Sequence, residues 1–295
     1  MAADFISFSI VTPTYNSERF LEACVRSIVD QNYPALEYIV IDGDSPDGTL
    51  NIIRRYEDRM AYWVSEPDNG MYAGIQKGFE HSHGEIMAWL NSDDMYLPWT
   101  LRVVNAIFSA LPELDWITSL RPLLWNAQGL ATDCMALPGF SKEGFGRGEH
   151  MPGSTGYMIE SIQQESTFWR RSLWERAGGN LDTSLKLAGD FELWARFYQH
   201  SDLVGVRTPL GGFRVHAEQL TASKRDLYIA EARSVLRRYH GSEQSWWRSF
   251  LRRHVAPAVP RRLRSQAARL GLLHHSRACV YDQSRGGWTI RKNYI

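Results

Sequence analysis

Asp93 and Asp94 stand side by side at the end of Leu90-Asn91-Ser92-Asp93-Asp94. Adjacent carboxylates repel, so the pair is an awkward choice unless a cation shares the site. A hard divalent ion takes carboxylate and phosphate oxygens together, and one that bridges a diphosphate fits such a pair. An acidic turn or a helix cap also uses Asp, so the pair alone leaves both readings open. Three further carboxylates or polar groups follow apolar runs in the same way: Tyr15-Asn16 after Phe8–Thr12, Asp42 after Tyr38–Ile41, and Asp68 after Ala61–Val64. Later in the chain, Asp190 opens an apolar-rich helical stretch with Glu192 beside it, and His216 closes a short expected strand, Gly212–Val215. A carboxylate in a first helical turn is favoured by the helix dipole, so Asp190 can be a plain cap. A His just beyond a strand, in a chain with an acidic pair, is a better metal-ligand candidate than a lone one.

The elements that must carry these residues follow from periodicity. The runs at 8–12, 38–42, 61–64 and 86–90 are short and bounded, as buried strands are. Between them, Phe20, Leu21, Cys24, Val25, Ile28 and Val29 recur at helical spacing, and helices are predicted at 49–56 and 71–81. Strand and helix therefore alternate three times in about 90 residues, which predicts βαβ units and a mostly parallel sheet. Every polar loop then falls on one edge of that sheet, at the strands' carboxyl ends, where open α/β sheets bind ligands. No Gly-x-Gly-x-x-Gly follows the first strand and no Gly-Lys-Ser/Thr loop occurs, which argues against a Rossmann cofactor or a P-loop nucleotide. Beyond a helix at 99–111 come one or two strands in 115–124. Residues 138–157 are then rich in Gly and Pro, and predict a mobile functional loop, either a lid or a disordered segment.

The chain has 295 residues, 44% of them apolar, which suits one large α/β domain with an extension. Its three cysteines are scattered and lack metal-site spacing, as expected of free thiols in a reducing compartment. The first residues lack a signal-peptide pattern, and no apolar run approaches the ~18 residues that span a bilayer. A net charge of zero hides an asymmetry: residues 231–295 hold 14 Lys+Arg against 3 Asp+Glu. In 243–270 Trp246, Trp247, Phe250 and Leu251 alternate with Arg, as in interfacial helices that meet anionic lipid. A helical arm packed on the domain is the competing expectation. No recognised motif supports nucleic-acid binding.

The ordered set of motifs resembles an inverting glycosyltransferase of family two, of the bacterial exopolysaccharide and O-antigen type. It comprises Ile10–Asn16, Ile41–Ser45, Ser65–Tyr72, Gln76-Lys77-Gly78, Gly84–Ile86, Leu90–Asp94, Gln164–Arg171, Gly189–Trp194 and Phe213–Gln219, covering about residues 6–222. The resemblance implies the GT-A fold, an α/β class with a Rossmann-like, mostly parallel central sheet flanked by helices. It implies a catalytic domain at 1–221, with a nucleotide-binding half at about 1–98 and an acceptor half at about 99–221. A helical, basic C-terminal extension at 222–295 would follow.

It further implies that Thr14, Tyr15, Asp42, Asp68, Lys77, Asp93 and Arg214 bind the nucleotide, and that Asp94 and His216 hold Mn2+ or Mg2+. Asp190 matches the catalytic base. The expected reaction moves a hexosyl or N-acetylhexosaminyl group from a nucleotide-diphosphate sugar, UDP above all, to a glycan or polyprenyl-diphosphate-linked saccharide. Direct displacement by an acceptor hydroxyl that has lost its proton to a base inverts the anomeric carbon and needs no protein nucleophile. The expected location is cytoplasmic, peripheral on the inner face of the plasma membrane. One departure stands out: the family's usual Glu-Asp is here Gly189-Asp190. The competing function is a non-catalytic GT-A-fold scaffold at the membrane surface. A nucleotidyltransferase is disfavoured by the absence of an amino-terminal Gly-rich activation loop.

Overall fold

The computed structural model describes residues 5–151, 161–217, 219, 224–243 and 259–295. Strand β1 (Phe8–Thr14) is buried along its whole length. It lies between β2 (Leu36–Asp42) and β4 (Ile86–Trp89), parallel to both, and β3 (Tyr62–Ser65) continues the sheet beyond β2. Strands covered on both faces read as continuous apolar runs, which is why these segments show no alternation. Helix α1 (Leu21–Val29) buries Leu21, Cys24, Val25, Ile28 and Val29, the one face that its spacing predicts. Helices α2 (Thr49–Arg55) and α3 (Met71–Glu80) make the next two crossovers. The predicted elements are thus present, with boundaries moved by a residue or two.

Register sets where the polar strand ends of the first half lie. Thr14 pairs with Asp42, and Asp42 with Ser65, so the ends of β1, β2 and β3 form one row. Val11 pairs with Trp89 on β4, whose exit leads straight to Asp93 and Asp94. Asn16 and Asp44, just past β1 and β2, both have a left-handed backbone, at φ 51° and 63°. Asn and Asp tolerate that conformation better than most side chains, which lets both loops turn sharply at the sheet edge.

After α4 (Thr100–Ala110), β6 (Trp116–Ser119) joins the sheet through β9 (Phe168–Arg170), which runs antiparallel to both β4 and β6. Four of the eleven Trp residues meet on this seam. Trp89, Trp116, Trp169 and Trp194 are fully buried, and Trp194 stacks on Trp89 with ring centroids 5.9 Å apart. Trp194 belongs to α7 (Gly189–His200), so this aromatic cluster locks α7 onto the sheet and sets where Asp190 stands, one turn earlier. A second, small sheet has the order β5-β11-β7-β8, where β5 is Met95–Tyr96, β7 Leu123–Trp125, β8 Ala131–Cys134 and β11 Gly211–Arg214. Strand β5 directly follows Asp94, and β11 lies antiparallel beside it, which brings Arg214 and His216 back to the acidic pair. Gly211 and Gly212 permit this, since a Cβ at either would collide with the Glu165 carbonyl or the Trp125 indole.

Two expectations need correction. The extension is helical only in part. It contains α8 (Arg225–Arg238) and α9 (Arg264–Arg269), but then β12 (His275–Asp282) and β13 (Gly287–Tyr294) form a hairpin. Strand β12 lies parallel to β10 (Val204–Val206), so the order of the large sheet is β13-β12-β10-β6-β9-β4-β1-β2-β3 among the described residues. The cause is burial: Ala278, Cys279 and Val280 cover the otherwise bare edge of β10. The Gly/Pro-rich segment is not a mobile loop over its described part. It carries α5 (Lys142–Gly146), capped by the Ser141 hydroxyl, and Phe145 stacks on Phe191 at 4.4 Å. Its remainder, 152–157, and the aromatic-basic stretch 244–258 lie outside the described residues.

Candidate functional site

The site is built where the sheet edge meets the small sheet. Asp42 is fully buried at the end of β2. Its carboxylate accepts the Ser45 amide (3.0 Å), the Ser45 hydroxyl (2.5 Å) and the Ser65 hydroxyl (2.6 Å). Thr14, its register partner, has a buried hydroxyl without a hydrogen-bond partner. Tyr15 is 62% exposed, an aromatic face free to pack against a flat ligand. Asp68 accepts the Gly70 amide at 2.7 Å and sits over Gly43 and Gly74, where an added Cβ would come within 3.2 and 3.1 Å of its carboxylate. Lys77 is ion-paired with Glu66, on the rim of the same loops.

Asp93 and Asp94 point to different neighbours. Asp93 Oδ2 lies 2.9 Å from Nε2 of His216, and its carbonyl accepts Nε–H of Arg214 at 2.5 Å. Asp94 is buried, and its Oδ1 accepts the Arg214 backbone N–H at 2.8 Å. Asp94 Oδ2, Arg214 Nη2 and His216 Nδ1 are all buried without a hydrogen-bond partner. Burial, then the charges of Asp93 and Glu165, push the Asp94 carboxyl well above the usual carboxylate range. Such a group favours a proton or a cation. Among the described residues no three His, Cys, Asp or Glu side chains gather as a protein-only metal cage. A hard cation bound mainly by substrate oxygens needs only one or two carboxylates from the protein, and the free Oδ2 of Asp94 fits that need.

Asp190 is the second residue of α7. Its Oδ1 accepts the Phe191 amide at 2.8 Å, while the phenols of Tyr72 and Tyr228 approach its two oxygens at 3.5 and 3.4 Å. Burial pushes its pKa up to about 6, against the pull of these hydrogen bonds. Glu192 points away. It is held by Arg196 at 2.8 Å and by the Tyr239 hydroxyl at 2.6 Å, a structural ion pair. Gly189 also has a reason: a Cβ there would lie 2.7 Å from the Tyr72 ring. The departure from the Glu-Asp pattern is the space that Tyr72 occupies.

One residue left out of the predicted set belongs to this neighbourhood. Glu165, on the 3-10 turn Gln164–Ser166, is 3% exposed with an unpartnered Oε1. Burial raises its pKa to about 8, and the charges of Asp190 and Asp93 add to the effect. It therefore links the acidic pair electrostatically to Asp190. It lies in the motif Gln164–Arg171, but its aperiodic turn gave no sign of its burial or of these neighbours.

Residues 9–113 match the model of glycosyl transferase family 2. That match covers about a third of the chain and shows its likeness to the family there. The chain is 27% identical over 214 residues to an uncharacterised glycosyltransferase of Rickettsia prowazekii, covering 72% of this chain and 65% of that protein. It is 35% identical over 91 residues to TuaG of Bacillus subtilis, assigned to teichuronic acid biosynthesis, covering 30% of this chain and 36% of TuaG. The chain thus spans less than two thirds of the length of these relatives. Among solved structures, residues 1–349 of S. aureus TarS in complex with UDP-GlcNAc superpose with a TM-score of 0.60 at 18% identity, over 85% of this chain and 73% of that one. The mannosyltransferase PcManGT of Pyrobaculum calidifontis, in complex with GDP-Man and Mn2+, gives 0.53 at 17% identity, over 92% and 85%. The likeness is one of fold, and the fold is GT-A.

Proposed function

We propose that this chain is a metal-dependent, inverting glycosyltransferase that moves a sugar from a nucleotide-diphosphate donor to a hydroxyl of a saccharide acceptor. The observation that carries the reading is Asp190. It is a carboxylate at the head of α7, held by a backbone amide, with a pKa near 6. Such a group is ionised at neutral pH yet basic enough to take a hydroxyl proton as the bond forms. No other protein carboxylate is needed as nucleophile, so the product is inverted.

The donor lies along the strand ends. Tyr15 packs against the base, Asp42, Asp68 and Thr14 bind the nucleoside, and Lys77 and Arg214 flank the polar rim. Asp93 holds ribose or sugar, tied in place by His216. Asp94, with His216 nearby, would hold a Mn2+ or Mg2+ ion, which would supply charge neutralisation to a departing diphosphate. The known complexes of the fold with UDP-GlcNAc and with GDP-Man support a nucleotide sugar as donor, and UDP is the first base to test.

Calorimetric titration with UDP, GDP, dTDP and CDP, each with manganese and with chelator, tests the reading. One nucleotide is expected to bind only with metal, and Asp94→Ala to lose that binding. Asp190→Asn keeps the binding and loses transfer. If every nucleotide fails against folded protein, the weight moves to a non-catalytic scaffold.

The acceptor is proposed to be a glycan or a saccharide on a polyprenyl diphosphate, met at a membrane surface. Among the described residues no helix is long and apolar enough to cross a membrane. Around α9, however, Leu263, Leu270 and Leu272 are 42%, 76% and 58% exposed beside Arg262 and Arg269. Apolar side chains standing out among cations suit an anionic lipid surface. Co-sedimentation with phosphatidylglycerol vesicles, absent with phosphatidylcholine, is the expected result.

A further inference from the structure

We infer that Tyr228 and Glu231, both on α8 of the C-terminal extension, are positioning residues for Asp190, so that the extension completes the catalytic centre. This rests on the reading of Asp190 as the base.

Helix α8 docks with Tyr228, Ala232, Val235 and Leu236 buried. Its polar groups do more than fill the interface. Glu231 Oε1 accepts the Lys186 amide at 2.9 Å, and Oε2 accepts the amides of Leu187 (2.8 Å) and Ala188 (3.0 Å). Three consecutive N–H groups at the entrance to α7 thus converge on one carboxylate. At a helix start such donors have no partner within the helix. Arg238 holds the same loop from its other end through Asp182, at 2.7 Å. The three residues that lead into α7, and through them the entry to Asp190, are therefore held from the extension.

The second contact reaches Asp190 itself. Two phenols approach it, but they are not equivalent. Tyr72 has one hydroxyl proton, and the Leu187 carbonyl takes it at 2.8 Å. Its oxygen accepts the Asp190 N–H at 3.4 Å. The Tyr228 hydroxyl, 3.4 Å from Asp190 Oδ2, is the phenol whose proton remains for the carboxylate. A contact of that length in the unliganded site tightens when substrate arrives. Donation to an ionised carboxylate favours the ionised form, and with the Phe191 amide on Oδ1 it orients the group from both oxygens. The titratable groups around Asp190 are Tyr72 on α3, Tyr228 and Glu231 on α8, and Glu165 on its turn. Of these, Tyr228 is the group that can be changed without touching the Leu187 carbonyl or the acidic pair.

The test is carbon NMR of full-length protein labelled at the aspartate carboxyls, with Asp190→Asn used to assign the Asp190 resonance. In Tyr228→Phe the Asp190 midpoint is expected to rise by roughly half to one pH unit, the size of one hydrogen bond to a carboxylate. The acid limb of UDP release from UDP-GlcNAc with manganese moves with it. Glu231→Gln, which replaces one acceptor oxygen by an amide NH2 donor, is expected to lower kcat on the order of tenfold while donor KM stays within about twofold, as for loss of a contact that matters only at the transition state. An unchanged Asp190 midpoint in Tyr228→Phe that melts at the wild-type temperature overturns the inference. So does a Glu231→Gln variant altered in KM alone. If Asp190→Asn keeps full turnover while Tyr228→Phe still shifts the resonance, the base assignment falls, and the contact itself does not.

Discussion

Asp190→Asn is expected to remove transfer and, at the same time, to make the protein more stable at neutral pH. The carboxyl titrates near 6 in the folded chain against 3.8 in an open one, chiefly because of burial. Between these values the folded state holds a proton that the unfolded state has lost. Stability therefore falls as pH rises from 3.8 to 6, at 1.36 kcal/mol for each pKa unit. The difference of about two units makes a ceiling of ~3 kcal/mol, reduced in practice because Asp190 keeps part of its surface open to water. The amide that replaces it does not ionise, and its oxygen can still take the Phe191 N–H. Guanidinium unfolding of both proteins at pH 4, 6 and 8 reads the effect. The expected pattern is near equality at pH 4 and an advantage of ~1–3 kcal/mol for the variant at pH 8. A gap that is the same at pH 4 and pH 8, or one that favours the wild type at pH 8, would refute the reasoning.

Gly189→Ala puts a methyl group 2.7 Å from the Tyr72 ring. Overpacking of this kind costs ~1–3 kcal/mol, which thermal melts read. Glu192→Ala leaves the Arg196 guanidinium, 15% exposed, with only the carbonyls of Ala177 and Asn180. A loss on the order of 3 kcal/mol in denaturant unfolding is expected, with nucleotide affinity unchanged, since Glu192 faces away from the strand ends.

The first half of the site could be read from the chain because parallel strands buried on both faces have one plain signature. An apolar run that stops at a carboxylate marks both a strand and the edge it ends on, as Ile41-Asp42 and Leu90–Asp94 do. Glu165 lacked any such mark: it sits on a single 3-10 turn, and only the fold brings Asp93 and Asp190 near it. Tyr228 and Glu231 were invisible for another reason. Their partners are 38 and 43 to 45 residues away, and the strong basic charge of the extension drew notice to its surface rather than to its buried face. The hairpin β12–β13 was missed because its apolar run, Ala278–Tyr281, is only four residues long and stands in a strongly basic stretch. Gly189, a puzzle as a letter, became intelligible once Tyr72 was seen to fill the space beside it.

The strand order has a consequence for how the chain is made. Strands β1 to β4 are neighbours or near neighbours in sequence, and can pair while the ribosome is still adding the second half. Strand β10 cannot be covered until residues 275–282 have emerged, and α8 must by then already be seated against α7. A chain halted between these events presents an apolar strand with an open row of amides and carbonyls, the kind of edge that recruits other chains. Arrest products and C-terminal truncations should therefore fail as aggregates before they fail as catalysts.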